Sequence, residues 1–177
     1  EADDVIASLV KNFSSKAPIL ISSGDKDLAQ LVTKDVHIIN SMNDVIMDPK
    51  GVEKKFGVQP SQILDYLTLV GDASDNIPGV DKVGPKTAVK LLSENGSVDN
   101  IIKNLPNIQE KLRVKIEKSI ENINLARKLI KLKDDVDVEK NISNYLIGST
   151  NEKKLTEITQ KYELRKISIY VELQKDS

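Results

Sequence analysis

Three short acidic segments of the chain carry the residue types and spacing that could support chemistry. They supply seven carboxylates: Glu1, Asp3, Asp4, Asp25, Asp27, Asp72 and Asp75. Carboxylates that converge on one point repel each other unless cations lie among them, and Mg²⁺ prefers oxygen ligands. A pair of divalent ions about 3.5 to 4 Å apart needs roughly this many donors and supports in-line displacement at phosphorus. We therefore expect a metal-dependent reaction at a phosphate.

Each acid also has an ordinary structural explanation. Asp3 and Asp4 suit the first turn of a helix, Asp27 suits an N-cap, and Asp75 suits an Asx-turn. Caps, however, do not need to recur as closely spaced pairs in three segments, so the joint pattern favours a metal site. The chain has no Cys and the single His37, which excludes thiolate zinc sites and sites built from several histidines.

A second motif follows the third acidic segment and reads IPGVDKVGPKTAVKLL, residues 77–92. It places two glycines at tight turns and a proline at the start of a basic helix. Glycine lets a backbone approach a phosphate closely, and the amides of a first helical turn bind phosphate without reading bases. The candidate DNA-binding residues are Gly79, Val80, Gly84, Lys86, Thr87 and Lys90. A helix pair that only packs its own apolar residues is the alternative.

Alternating helices and strands are predicted for the part of the chain that carries the first two acidic segments. Residues 18–22 and 36–40 are short apolar runs typical of strands buried on both faces, and residues 44–47 suggest an edge strand. Helices are expected before the first strand and from Asp27 onward. Ligands collect beyond the carboxyl ends of parallel strands, which is where Asp25 falls.

Helices dominate the remainder of the sequence. Prolines 49, 60 and 85 suit helix starts, and Gly57 and Gly71 suit helix ends. A long amphipathic run covers residues 108–131, with a break predicted near residues 122–124, and a further helix covers 151–164. A closing strand is expected at 167–171. We place the domain boundary between residues 70 and 71.

Composition indicates a folded, water-soluble chain whose charge is unevenly distributed. Of 177 residues, 39% are hydrophobic and 30% charged, and no apolar run is long enough to cross a bilayer, so we expect no membrane partner and a cytoplasmic location. Residues 1–79 carry 12 acidic and 7 basic side chains, whereas residues 80–133 carry 6 acidic and 12 basic ones. This separation suits an acidic metal site beside a surface that attracts phosphates.

The order and spacing of the acidic segments and the glycine-lysine motif resemble the 5′-nuclease (flap endonuclease) family. The similarity is greatest to the later part of the 5′–3′ exonuclease domain of bacterial DNA polymerase I. It implies an α/β fold, a partial PIN-like parallel sheet with helices, followed by an all-α helix-hairpin-helix (helix-three-turn-helix) subdomain. In that family a first strand, two more aspartates and a helical arch precede the position of Glu1. We therefore expect the chain to be a fragment.

The resemblance also assigns individual roles. Glu1 and Asp3 correspond to ligands of one metal cluster, and Asp25, Asp27 and Asp75 to ligands of the other. Asp4 and Asp72 correspond to further acids that act partly through bound water. The phosphate contacts correspond to Gly84, Lys86 and Thr87, and the backbone carbonyls of Val80 and Val83 to ligands of a monovalent cation, typically K⁺.

The implied activity is metal-dependent hydrolysis of DNA phosphodiesters during repair and replication. The intact enzyme would use two Mg²⁺ ions, with Mn²⁺ as a substitute, on duplex DNA bearing a 5′ flap or an RNA primer. The fragment is expected to bind one ion and to cleave poorly; whether polymerase domains follow is open. The alternatives are a duplex DNA-binding module without catalysis and a PIN-type ribonuclease, against which the motif between Gly79 and Lys90 counts.

Overall fold

The computed structural model describes residues 1–40, 42, 45–164 and 167. The chain divides into two compact units, Glu1–Lys140 and Asn141–Ser177. Within the described ranges no helix combines the length and apolar character needed to traverse a bilayer. The predicted boundary between residues 70 and 71 falls inside the first unit and stays a prediction.

A three-stranded sheet organises the first part of unit one. Strand β1 (Ile19–Ser22) runs parallel to β2 (Val36–Asn40), and β3 (Val45–Met47) pairs with β2 in the antiparallel direction at the sheet edge. The register places Ile21 opposite Ile38, and both side chains are buried. The predicted strands are present, and the parallel pair directs the loop after β1 to the crevice side of the sheet.

The sequence predicts burial of β1 on both faces, and the structure corrects this. Leu20 is 56% exposed, and on β3 the side chains of Val45 and Ile46 are 57% and 55% exposed. Among the described residues no second layer packs on these positions, so the outward side chains of the sheet remain in solvent. A continuous apolar run does not distinguish a strand that is covered once from one that is covered twice.

The connection from β1 to β2 is a 3-10 helix, Asp27–Leu31, in place of the predicted α-helix. Only five residues are available before Val32 returns to extended backbone, and short spans of this kind favour the tighter helix. Leu28 and Ala29 are fully buried and anchor the segment. Helix α1 (Ala2–Phe13) precedes β1 as predicted and buries Ala7, Val10 and Phe13.

Two helices then lead away from the sheet with the predicted start and stop residues. Helix α2 (Pro49–Phe56) is capped by Asp48, whose Oδ1 accepts the Gly51 N–H at 2.7 Å, and it ends at Gly57 with φ of 77°. A 3-10 turn, Pro60–Gln62, leads into α3 (Ile63–Val70). Since α3 packs against the later helices and against the 3-10 helix beside the sheet, it joins the sheet region to the helical region.

After α3 the first unit contains a short hairpin, four α-helices and a 3-10 helix, Leu105–Asn107. The hairpin consists of β4 (Gly71–Asp72) and β5 (Ile77–Pro78), which pair antiparallel. The helices are α4 (Pro85–Asn95), α5 (Val98–Lys103), α6 (Glu110–Lys118) and α7 (Ile120–Ile130). The hairpin was not predicted, because three of its four strand residues are Gly, Asp and Pro, which have little strand propensity. It encloses the third acidic segment.

The break in the long amphipathic run lies at Ser119, earlier than the predicted residues 122–124. The Ser119 N–H donates to the carbonyls of both Lys115 and Ile116, which tightens the last turn of α6 and redirects the chain. Ile116 and Ile123, one on each side of the break, are buried. The asparagines chosen from the sequence lie within the second helix instead.

The second unit contains the predicted helix near residues 151–164. Helix α8 (Glu152–Lys161) begins after Asn151, whose Oδ1 accepts the Lys154 N–H at 2.9 Å. A 3-10 helix, Ile142–Tyr145, precedes it. The closing strand predicted at 167–171 lies outside the described residues, apart from Ile167.

Candidate metal and DNA-binding site

The acidic residues from three separated segments lie together in the fold. One cavity of about 470 Å³ is lined by six of the seven predicted acids: Glu1, Asp3, Asp4, Asp25, Asp27 and Asp75. The seventh, Asp72, belongs to a tighter group, which we call the acid trio: Asp27, Asp72 and Asp75 each place a carboxylate oxygen within 4.8 Å of the others. Divalent cations bind groups of oxygen atoms at this kind of spacing.

The second acidic segment forms a tight turn at the end of β1. The Ser23 Oγ accepts the Asp25 N–H at 3.0 Å, and the Asp25 Oδ1 accepts the Asp27 N–H at 2.9 Å. Asp25 therefore does the local capping work that the sequence assigned to Asp27. It lines the shared cavity but is not in the acid trio, which contains Asp72 instead, and its role as a metal ligand stays a prediction.

Asp27 is the acid of the site whose carboxylate is only partly satisfied. Its Oδ1 atom is buried and has no hydrogen-bond partner within the described part of the chain. Burial, followed by the negative charges of Asp25 and Asp72, raises the pKa of Asp27 to about 6. An orphaned, desolvated carboxylate oxygen among like charges is costly unless a cation binds it. With oxygen as the only donor type, the site fits Mg²⁺ or Mn²⁺.

This raised pKa predicts how the metal-free protein responds to pH. The folded state binds the Asp27 proton more tightly than the unfolded chain, whose carboxyl pKa is near 3.8. Protonated Asp27 therefore stabilises the folded state at low pH. Its contribution to the free energy of unfolding falls as pH rises from about 4 to about 6 and is fully lost above pH 6. We expect a loss of about 1–2 kcal/mol, discounted for partial solvent screening.

Urea unfolding in EDTA at several pH values measures this slope. The Asp27→Asn variant should lack it, and the difference between wild type and variant isolates Asp27 from the other acids. A wild-type curve that runs parallel to the variant curve between pH 4 and pH 6 would contradict the assignment.

Asp72 and Asp75 are placed by the hairpin of β4 and β5. Asp72 is 3% exposed, and its Oδ1 accepts the Ser74 N–H at 2.9 Å, so the Asx-turn expected of Asp75 belongs to Asp72. Burial raises the pKa of Asp72, but hydrogen bonds from Lys26 and Ser74 outweigh it and hold the pKa below its usual value. The charge of Asp72 raises the pKa of the exposed Asp75. The turn thus presents Asp75 toward the cavity.

Lys26 is a residue of this site that the sequence interpretation missed. Its Nζ lies 2.6 Å from the Asp72 Oδ1, and its side chain is 34% exposed. The position of Lys26 between Asp25 and Asp27 could have indicated this role, because a basic residue inside an acidic segment has carboxylates close enough for an ion pair.

The first acidic segment lies at the start of α1 and lines the same cavity. Burial raises the pKa of Asp3, and the negative charges of Asp25 and Glu1 raise it further. The carboxyl group of Asp3 therefore interacts electrostatically with the other acids of the site. The Asp4 Oδ1 accepts the Lys133 N–H at 2.8 Å. One oxygen of Asp4 is therefore committed to holding the segment after α7 against α1.

The glycine-lysine motif forms the turn and helix start that the sequence predicts, and within it Gly79 has a packing role. Gly79 packs against protein backbone: a Cβ on it would lie 2.4 Å from the carbonyl carbon of Val70, and one on Gly71 would lie 2.3 Å from the Gly79 nitrogen. Gly71 also has φ of 80°. Gly79 is therefore needed to close the hairpin, and its contact with DNA stays a prediction.

The residues at the start of α4 that were predicted to contact phosphate are accessible to solvent. Gly84 precedes α4 and would have nothing within 4 Å of an added Cβ, Lys86 and Lys90 are exposed, and Thr87 is half-buried. The side chains of Val80 and Val83 are buried, and the Val80 carbonyl accepts the Val83 N–H at 3.0 Å. This arrangement leaves an open approach to the start of a helix that carries two exposed lysines.

Two relatives in sequence are named as a 5′-3′ exonuclease and a DNA polymerase I, the kinds of protein that the resemblance indicated. The chain is 45% identical over 169 residues to the 5′-3′ exonuclease of Aquifex aeolicus, covering 94% of this chain and 57% of the relative. It is 40% identical over 141 residues to the thermostable DNA polymerase I of Thermus filiformis, covering 78% of this chain and 17% of that protein. The chain thus spans little more than half of the shorter relative.

A solved structure supports the fold. The bacteriophage T5 D15 flap endonuclease, in a pseudo-enzyme-product complex with DNA and metal ions, matches with a TM-score of 0.70 and 26% identity. The match covers 75% of this chain and 50% of the T5 protein. The α/β fold followed by a helical part is therefore confirmed.

Two family profiles match consecutive parts of the sequence. Residues 1–57 match the 5′-3′ exonuclease N-terminal resolvase-like domain, and residues 58–154 match the 5′-3′ exonuclease C-terminal SAM fold. The second profile covers the glycine-lysine motif, which a PIN-type ribonuclease was not expected to carry. The chain belongs to the 5′-3′ exonuclease family.

Proposed function

We propose that this chain belongs to a 5′–3′ exonuclease and flap endonuclease that hydrolyses DNA phosphodiesters. It supplies one divalent-metal site and the glycine-lysine motif that contacts the duplex. The observation that supports the proposal most directly is the acid trio. Within it, the buried Oδ1 atom of Asp27 has no hydrogen-bond partner among the described residues. The proposed substrate is duplex DNA with a 5′ flap or an RNA primer, in repair and replication. The proposed product carries a 5′-phosphate.

The acid trio would hold the ion, which is Mg²⁺ with Mn²⁺ as a substitute. A bound divalent ion supplies positive charge that activates water and stabilises the phosphodiester transition state. In the protein, the turn from Asp25 to Asp27 fixes one carboxylate and the Asx-turn of Asp72 fixes the others. Positioning by rigid backbone limits the reorganisation that the acids must undergo when charge develops.

A second Mg²⁺ is proposed for the intact enzyme near Glu1 and Asp3. Both residues line the cavity, and burial, followed by the charges of Asp25 and Glu1, raises the pKa of Asp3. Two acids are few for a divalent ion, which usually has several oxygen ligands. We therefore propose that this chain alone binds one ion tightly and cleaves poorly or not at all.

Cleavage assays test the proposed function directly. The 177-residue chain and a version extended at its N-terminus to the length of its relatives are each incubated with a labelled 5′-flap duplex and Mg²⁺. We expect metal-dependent cutting by the extended protein and little or none by the chain itself. Strong cutting by the chain alone would contradict the proposed impairment, and an extended protein without metal-dependent activity would contradict the nuclease proposal.

Duplex contact is proposed for the start of α4. Gly84, Lys86 and Thr87 would contact phosphates, with Lys90 one turn further on, and the carbonyls of Val80 and Val83 would bind K⁺. Backbone amides and lysines recognise phosphate irrespective of base sequence. The proposed phosphate contacts at the start of α4 involve no divalent ion. Duplex binding should therefore persist in EDTA, whereas catalysis should not.

Replacing Lys86 by Glu should weaken duplex binding without changing the metal site. We expect about a tenfold loss of affinity at moderate salt, similar for all sequences, and a shallower dependence of affinity on salt by roughly one or two ions. Fluorescence anisotropy with a labelled duplex at several KCl concentrations measures both quantities. Lys34→Glu is the matched control, since Lys34 is exposed and pairs with its neighbour Asp35. Equal effects of the two variants would contradict the assigned contact.

A further inference from the structure

Lys26 occupies an unusual position for a surface lysine. It lies between two acids in the sequence, yet its ammonium contacts a third, buried one: the Nζ atom is 2.6 Å from the Asp72 Oδ1. Among the described residues, Lys26 is the basic residue that forms an ion pair with the acid trio. Its ammonium group therefore places a positive charge next to these carboxylates.

The contact also connects the two segments that supply the trio. Lys26 immediately precedes Asp27 in the loop that follows β1, whereas Asp72 lies in β4. The same Asp72 oxygen accepts the Ser74 N–H, which fixes the turn that carries Asp75. A hydrogen-bonded charge pair with one nearly buried partner holds these segments more firmly than an exposed pair would.

Without a cation the trio would bring three negative charges within a few ångströms, which destabilises the fold. One ammonium offsets part of this repulsion in the metal-free protein. When a divalent ion enters, the same ammonium becomes a like charge beside it and opposes binding.

We propose that Lys26 is a built-in counter-cation of the acid trio, which stabilises the metal-free fold and lowers the affinity of the site for divalent ions. The inference rests on the proposed metal site and assigns a determinant of its affinity. It makes Lys26 a positioning residue, since it acts through Asp72 and contacts no reacting atom. Loss of its charge should therefore change metal-free stability and metal affinity in opposite directions.

Lys26→Met removes the charge and keeps most of the side-chain length. We expect a lower thermal midpoint in EDTA, a deficit that largely disappears at saturating Mn²⁺, and an increase in Mn²⁺ affinity of about three- to tenfold by calorimetric titration. Lys26→Arg keeps the charge and should stay near wild type in both measurements. Lys34→Met is the matched surface control and should change neither.

A merely structural salt bridge would give a different result. If Lys26→Met loses the same stability with and without Mn²⁺, or binds Mn²⁺ no more tightly than wild type, the inference is wrong. Lys26→Gln is measured in parallel, and failure of both variants to fold even with Mn²⁺ would also overturn it. A wild-type chain that binds no Mn²⁺ would overturn the metal site itself, which separates the two failures.

Discussion

Asp27→Asn is expected to abolish tight binding of divalent metal while making the metal-free protein more stable. The affinity should fall on the order of 100-fold, because a unit charge a few ångströms from a divalent ion contributes several kcal/mol even at an effective dielectric constant of about 20. The opposite change in stability follows from the pKa of about 6, which shows that the charged form of Asp27 is disfavoured in the fold. Asparagine removes this charge and keeps nearly the same shape.

Calorimetric titration with Mn²⁺ and urea unfolding in EDTA, both at pH 7, measure the two effects. Asp35→Asn is the matched control, because Asp35 is an exposed acid that pairs with Lys34 outside the site. An Asp27→Asn protein that still binds Mn²⁺ like wild type would show that the acid trio is not the binding site. A metal-free variant less stable than wild type would show that the charge of Asp27 is satisfied by contacts within the protein.

Gly79→Ala should be the most destabilising single substitution considered for this chain. An added Cβ would lie 2.4 Å from both the carbonyl carbon and the carbonyl oxygen of Val70, where no side-chain movement can relieve the overlap. The two strands of the hairpin must then separate, at an expected cost of about 3 kcal/mol or more in the free energy of unfolding. Asp72 and Asp75 move with that hairpin, so metal affinity should fall as well.

Gly84→Ala provides the contrast within the same motif. A Cβ on Gly84 meets nothing within 4 Å, and its backbone has φ of −93°, which any residue adopts. Its stability and Mn²⁺ affinity should match wild type. Urea unfolding of both variants compares the two glycines directly, and equal destabilisation would contradict the separate roles assigned to Gly79 and Gly84.

The sequence was sufficient to predict which carboxylates lie close together, because their positions relative to the strands are informative. Acids in the loop after a parallel strand lie at the ligand-binding edge of the sheet, and Asp25 and Asp27 follow this rule. Helix boundaries marked by proline and glycine, such as those of α2 at Pro49 and Gly57, were equally predictable. Each depends on a local preference of the backbone.

What could not be predicted depends on contacts between distant residues. The acid trio contains Asp72 rather than Asp25, and this depends on hydrogen bonds to backbone amides and to Lys26, which spacing alone does not reveal. The packing of Gly79 against Val70 requires a hairpin that strand propensity does not indicate. The exposure of Leu20 depends on which layers cover the sheet, and an apolar run carries no such information.

Anomalous diffraction from a crystal of the chain grown with Mn²⁺ tests the central claim most directly. The account predicts one strong anomalous peak within coordination distance of Asp27, Asp72 and Asp75, with any second peak near Glu1 and Asp3 weaker. A crystal with Mn²⁺ bound elsewhere, and no peak among these three carboxylates, would contradict it.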